Sequence, residues 1–183
     1  MNKLKCSAIM AFILLGFVNT IAQDKYKLIN SSVRFFSSTP VEDIEAENKA
    51  SLGVLDTKTG NFSVRVPVTE FKFKSTLMED HFNENYMESE KYPNATFKGV
   101  IKDPINLGKD GVYNVTADGD FETHGVVQKR QIPITITVAK GTVSYKSEFK
   151  VKLEDHQIKV PTVVFAKIAE VIDVKLNGEL QKI

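Results

Sequence analysis

The side chains best able to do chemistry in this 183-residue chain are few and scattered. His81, His124 and His156 stand 43 and 32 residues apart, so a zinc or copper site would have to be assembled from three separate elements. The one cysteine, Cys6, excludes both an intrachain disulfide and a cysteine-based zinc site. Glu42, Asp43, Glu45 and Glu47 form an acidic run. Its last three members alternate with Ile44, Ala46 and Asn48, the pattern of a strand's solvated face. A glycosidase needs two carboxylates held in distinct environments, and nothing singles out such a pair. Asp110-Gly111 and Asp118-Gly119-Asp120 lack the spacing of a calcium loop. The chain has neither a Gly-rich phosphate loop nor a Gly-x-Ser-x-Gly elbow. No catalytic residue, metal ligand or cofactor is therefore expected.

Basic and aromatic residues are more informative. Arg65 lies between Val64 and Val66 and should face solvent. Arg130 is in phase with Ile132, Ile134 and Ile136, on an apolar face. A guanidinium there would sit at a barrel mouth and pair with an anionic headgroup, or snorkel to the rim with no ligand. Phe97, Tyr113, Phe121, Tyr145 and Phe149 also fall on apolar strand faces. With Ile134 on the same strand face as Arg130, and with Met78, Phe82 and Met87 from a helical segment, they would line and cap a tube able to hold an apolar chain. The alternative is a core filled by the same side chains, since small barrels occur in both forms.

These residues need strands to position them, and strands dominate the pattern. Val143, Tyr145, Ser147, Phe149, Val151 and Leu153 share one face, opposite Lys146, Glu148, Lys150 and Lys152. Similar stripes recur in the runs around Ile134, Val115 and Val174. Phe62, Val64, Val66 and Val68 form another, whose phase slips before Phe71 and Phe73, predicting a bulge near Thr69–Glu70. Turn signals at Thr59-Gly60-Asn61, Lys109-Asp110-Gly111, His124-Gly125 and Lys140-Gly141 separate the runs. The reading is eight strands: 26–36, 43–55, 61–73, 95–102, 111–123, 126–139, 142–153 and 171–181. Long antiparallel strands with one apolar face form a sandwich or close into a barrel. Thr76 and Glu79 have the spacing of a capping box that starts a short helix, stopped at Tyr92-Pro93. A second helix or lid is expected at 161–169.

Composition and ends bound the function. Hydrophobic residues make up 42 % and charged residues 26 %, ordinary for a globular domain. Twenty-four basic and 23 acidic residues leave a net charge of +1, which gives no footprint for nucleic acid or an anionic membrane. Lys3 and Lys5, an apolar run from Ala8 to Val18, and Asn19-Thr20-Ile21-Ala22 read as a secretory signal peptide, residues 1–22, cleaved after Ala22. The run is shorter than the ~20 residues of a membrane span. Cys6 precedes it, so it is not a lipoprotein's acylated cysteine. One domain, 23–183, remains, with no further stretch of transmembrane length and a periplasmic or secreted location.

Two motifs resemble a known family. The segment from Met78 to Phe97, with Asp80-His81-Phe82, Lys91-Tyr92-Pro93 and Thr96-Phe97, is similar to the signature of YceI-like proteins. Gly119-Asp120-Phe121-Glu122-Thr123-His124-Gly125-Val126 resembles the hairpin of the same family. Leu77-Met78 stands where an arginine is often found, and Val127-Gln128 replaces a usual Thr-Lys, so the chain resembles a divergent, Bacteroidetes-type member. The resemblance implies an all-β, extended, eight-stranded antiparallel lipocalin-like barrel with one or two short helices. It also implies an interior for a long isoprenoid or acyl amphiphile and carries no catalytic residues. The expectation is a non-enzymatic lipid-binding protein; the alternative is an envelope stress or interaction protein with a filled barrel and a surface partner site.

Overall fold

The computed structural model describes residues 25–160 and 168–183. The predicted signal segment lies outside them, as does the predicted helix or lid at 161–169 apart from Ile168 and Ala169. Ten antiparallel strands follow in order: β1 (Lys25–Ser38), β2 (Asp43–Asn48), β3 (Leu52–Asp56), β4 (Asn61–Pro67), β5 (Phe71–Phe73), β6 (Asn94–Ile101), β7 (Gly111–Thr123), β8 (Val126–Ala139), β9 (Thr142–Lys152) and β10 (Val171–Lys182). One short helix, α1 (Thr76–His81), stands between β5 and β6. β10, β9, β8, β7, β6, β4, β3 and β1 neighbour one another in that order, and β1 pairs back onto β10, so eight strands close a barrel. β2 and β5 extend the wall beside the upper half of β1.

Two of the eight predicted strands are broken in the middle. β2 and β3 pair with β1 in one continuous register, from Ser38↔Asp43 to Lys25↔Asp56. The break follows from Asn48, which is fully buried. Its side chain accepts from the Ala50 N–H at 2.8 Å and donates to the Pro67 carbonyl at 2.7 Å, replacing ladder bonds with its own. Opposite this break β1 carries a bulge, with Asn30 at φ 49° and the pairing with β10 shifted between Ile29 and Ser32. The predicted run 61–73 is interrupted where its phase slips. The cause is a single 3₁₀ turn, Val68–Glu70, not a simple bulge: Leu52 pairs with Arg65 but Asn48 pairs with Phe71.

The capping box does not form. Ser75 is the N-cap and makes no side-chain cap bond. The Glu79 N–H donates to the Ser75 carbonyl at 3.1 Å, while its carboxylate accepts from Lys72 Nζ at 2.7 Å. Past His81 the helix widens into a π turn over Phe82–Tyr86, closed by the Met87 N–H on the Phe82 carbonyl at 2.9 Å. The β7–β8 hairpin turns on His124 (φ 52°) and Gly125 (φ 71°), the positive-φ pair of a tight two-residue turn. Glycine is also required there by space, because a Cβ on residue 125 would lie 2.4 Å from the Tyr92 ring.

Burial alternates along the strands, but the interior is not filled evenly. Toward the β8–β9 turn, Leu107, Val115, Ala117, Val138 and Val143 pack into a solid plug. Leu107 and Ile105 come from the β6–β7 connection, which folds across this lower end. Toward the other end, under α1, the barrel is hollow.

Candidate functional site: an apolar cavity in the barrel

The hollow is a cavity of about 540 Å³, within the range of small-molecule sites. Its walls come from all eight barrel strands, β1, β3, β4 and β6 to β10, largely from inward positions, which is the consequence of period-two alternation in a closed sheet. Phe62, Phe97, Phe121 and Phe149 run around the wall as a belt, with centroid separations of 4.9, 6.4 and 6.0 Å. Nearer the open end Phe35, Phe71, Phe73 and Phe82 form a collar, with centroids 5.0–5.7 Å apart. All of these pairs are tilted or edge-on except the stacked Phe35–Phe82 pair, arrangements that aromatic rings favour over a face-to-face sandwich. Ile101, Ile136 and Leu180 lie at the bottom, where cavity meets plug.

Polar groups in the lining are mostly engaged. Tyr145 reaches Ser31 Oγ at 2.8 Å, and Ser31 Oγ reaches Ser51 Oγ at 2.6 Å, which ties the β1 bulge to the cavity wall. Burial pushes the Tyr145 phenol up from its ordinary pKa, so it stays neutral. Ser147 Oγ donates to the Pro133 carbonyl at 2.6 Å. At the rim stand Glu42 and His81, and no described lining residue is Lys or Arg.

Eight of the ten residues expected around a tube line this cavity: Met78, Phe82, Met87, Phe97, Phe121, Ile134, Tyr145 and Phe149. Tyr113 does not. Its hydroxyl donates to the Asn106 carbonyl at 2.8 Å, and its ring packs against the plug at the closed end. Arg130 does not either, although its phase is that of Ile132 and Ile134. The β8–β9 ladder runs from Ala139↔Thr142 to Thr135↔Lys146. Beyond it, side chains link β8 to β9 and to the turn that follows it: Ser147 to the Pro133 carbonyl, Arg130 Nη2 to the Lys150 carbonyl at 2.6 Å, and Gln128 Nε2 to the Asp155 carbonyl at 2.8 Å. The Arg130 guanidinium lies 5.8 Å from the centroid of the Phe149 ring, whose residue lines the cavity. It fills the seam between strands and is not among the residues that line the cavity. The collar residues Phe35, Phe71 and Phe73 were outside the expected set. Phe71 and Phe73 carried a usable signal in the shifted stripe, whereas the β1 bulge obscures the phase of Phe35.

The histidines take three different places. His81 stands at the rim. His124 holds the β7–β8 turn, with Nδ1 3.0 Å from the His156 carbonyl and Nε2 3.3 Å from Glu88. His156 is fully buried beside Phe121, with Nδ1 3.2 Å from the Val126 carbonyl. Burial pushes its pKa below the ordinary value, and the nearby Arg130 charge adds to the effect. On β2, Asp43 and Glu45 are exposed, as a solvated strand face requires. Glu47 is held as a carboxylate by Ser32 at 2.6 Å and Arg34 at 3.1 Å, which lower its pKa.

A closed eight-stranded antiparallel barrel with a plugged end and an apolar cavity under a short helix defines a cavity-bearing barrel of the lipocalin-like kind. The model of the YceI-like domain matches residues 26–180, and the chain belongs to that family. Its fold is shared with BcnA of Burkholderia cenocepacia (TM-score 0.67, 18 % identity, covering 82 % of this chain and 96 % of that one). It is shared also with a polyisoprenoid-binding domain from Saccharophagus degradans implicated in plant cell wall breakdown (TM-score 0.71, 13 % identity, 88 % and 99 %). A YCEI protein from Campylobacter jejuni is similar at TM-score 0.53 and 16 % identity, over 75 % and 84 % of the two chains. No curated protein matches the sequence. Among the described residues no helix is long and apolar enough to cross a membrane.

Proposed function

We propose that this protein binds a long-chain amphiphile, of isoprenoid or acyl type, with its tail inside the barrel, and that it acts as a carrier or reservoir and not as an enzyme. The observation that carries this reading is the cavity: one continuous apolar space of about 540 Å³ beneath a helix. Each methylene moved from water into such a space contributes about 0.8 kcal/mol. Ten methylenes give roughly 8 kcal/mol before the cost of ordering the chain is subtracted, enough for micromolar binding. The binding of polyisoprenoid by the S. degradans domain of the same fold supports the same class of ligand. The basic, apolar and small-residue order of residues 1–22 supports export to the periplasm or beyond.

The test is a native mass spectrum of the protein purified after export from a bacterial host, followed by solvent extraction and lipid analysis. The reading expects a stoichiometric adduct that passes into organic solvent. A bare mass, unchanged after incubation with isoprenols and fatty acids, would overturn it.

A further inference from the structure

The chain that covers the cavity is fastened unevenly. Between β5 and β6 it runs from Thr76 to Pro93, and its two halves are held in different ways. The second half is anchored. Met87 and Ser89 are buried, the Tyr92 ring lies 4.8 Å from the His124 ring, and Glu88 meets His124 Nε2 at 3.3 Å. The Val68 N–H donates to the Pro93 carbonyl at 2.9 Å. The first half, α1 and the π turn, buries none of its residues. Leu77 lines the cavity yet is 62 % exposed.

The ties of this first half to the wall run through side chains, with no backbone bond to a strand among the described residues. One tie is the ion pair of Glu79 with Lys72 on β5, 2.7 Å long and open to water on the lysine side. Tyr86 packs beside Val68, Met87 and Ile158. The Phe82 ring sits in the collar, 5.4, 5.7 and 5.0 Å from the rings of Phe35, Phe71 and Phe73. A tail leaving past α1 has to displace that ring.

The closed arrangement carries costs of its own. Glu88, at the junction of the halves, has φ 43°, a left-handed conformation that a side chain disfavours. Asn83 Oδ1 is buried with no hydrogen-bond partner among the described residues, although Asn83 Nδ2 donates to the Glu79 carbonyl at 2.9 Å. An unpaired buried acceptor favours a movement that returns it to water. The other way in is the β8–β9 seam, where pairing stops at Thr135↔Lys146. That seam is spanned by Arg130 and closed above by Gln128 on the Asp155 carbonyl and by His156 Nδ1, 3.2 Å from the Val126 carbonyl.

We propose that Thr76–Tyr86 is a lid, latched by Lys72–Glu79 and stoppered by Phe82, which swings about Glu88 to let a tail enter and leave. The proposal rests on the binding function proposed above and specifies how that site opens.

The experiment is stopped-flow release of cis-parinaric acid, fluorescent in apolar surroundings, from the purified, delipidated protein into excess phosphatidylcholine vesicles. In a Cys6→Ser chain, Lys72→Cys with Glu79→Cys, joined by bismaleimidoethane, fastens the lid. Gln131→Cys with Lys150→Cys, joined in the same way, fastens the seam. Fastening the lid should slow release by about tenfold or more relative to the unjoined pair, and fastening the seam should change it by less than about twofold. Glu79→Gln should speed release up to about threefold at low ionic strength, a difference that about 0.5 M salt removes. Phe82→Ala should speed release at any salt concentration, with Phe82→Leu in its place if the alanine variant does not fold. A fastened lid that releases the acid at the unjoined rate would overturn the proposal, as would equal slowing by the fastened seam. Failure of the unaltered protein to bind the acid would overturn the binding reading itself, and the lid with it.

Discussion

Placing a charge halfway down the cavity tests whether a tail occupies it. Ile134 lies on the cavity wall at mid-depth, between Ile132 and Ile136 on β8. Among the described lining residues there is no Lys or Arg, and the seam cation Arg130 is held against the Lys150 carbonyl. A glutamate at 134 would be solvated while the cavity holds water. An entering chain would strip that water away, and the cheapest escape for the carboxylate is protonation. From an ordinary glutamate pKa of about 4.3, protonation at pH 7 costs about 3.7 kcal/mol, or roughly 500-fold in affinity. Ile134→Gln has nearly the same shape with no charge and serves as the control. Displacement titrations from pH 7.5 to 5 should show Ile134→Glu binding a long-chain alcohol up to about 500-fold more weakly than Ile134→Gln at pH 7. The difference should shrink about tenfold per pH unit on acidification. Equal, pH-independent affinities in two folded variants would refute a tail at this depth.

Three further outcomes follow from the packing. Gly178→Ala would place a methyl 2.7 Å from the Tyr145 hydroxyl and 3.0 Å from Ser31 Cα, so urea unfolding should show a loss of about 1–3 kcal/mol, part of it recovered by adding Tyr145→Phe. A tolerated alanine would contradict the close approach at the β1 bulge. Arg130→Ala should cost about 1 kcal/mol of stability through the lost seam bond yet weaken anionic and neutral ligands of one chain length alike; a loss confined to the anionic ligand would return Arg130 to the mouth. His156 is neutral when folded because burial depresses its pKa, so the unfolded chain binds the proton first as pH falls below about 6.5. Stability should therefore be full above that pH and fall by up to about 1.4 kcal/mol per unit below it, and His156→Gln should flatten the slope between pH 7.5 and 5. An unchanged slope in the variant would show that His156 is not the group responsible.

The sequence made the strands and their inner faces legible wherever the ladders are regular. Ile132, Ile134 and Ile136 alternate with Pro133 and Thr135 on β8, and the alternating face is the cavity wall. Period two reports which face a residue takes, but not its height along the barrel. Tyr113 and Phe121 share a strand and a phase, yet Phe121 lines the cavity and Tyr113 packs at the plug. Phase also fails where pairing stops. Arg130 keeps the parity of Ile132, but the divergence of β9 leaves its guanidinium bridging the seam instead of facing the lumen. The strand breaks were hidden for a related reason: a side chain, Asn48, makes bonds that a strand's backbone would make, and no local pattern signals that exchange. The helix start shifted because Lys72 on β5, three residues before the N-cap Ser75, takes the Glu79 carboxylate, a pairing that the capping-box spacing does not signal.

The central claim is that an apolar tail lies inside the barrel, and locating one atom of that tail tests it most directly. A crystal of the protein with an eighteen-carbon alcohol brominated at its far end would place the bromine by anomalous scattering. The account predicts a single peak at the cavity floor, beside Ile136 and Leu180 and below Tyr145. A stoichiometrically bound chain with its bromine outside the barrel wall, or no peak within the lumen, would contradict it.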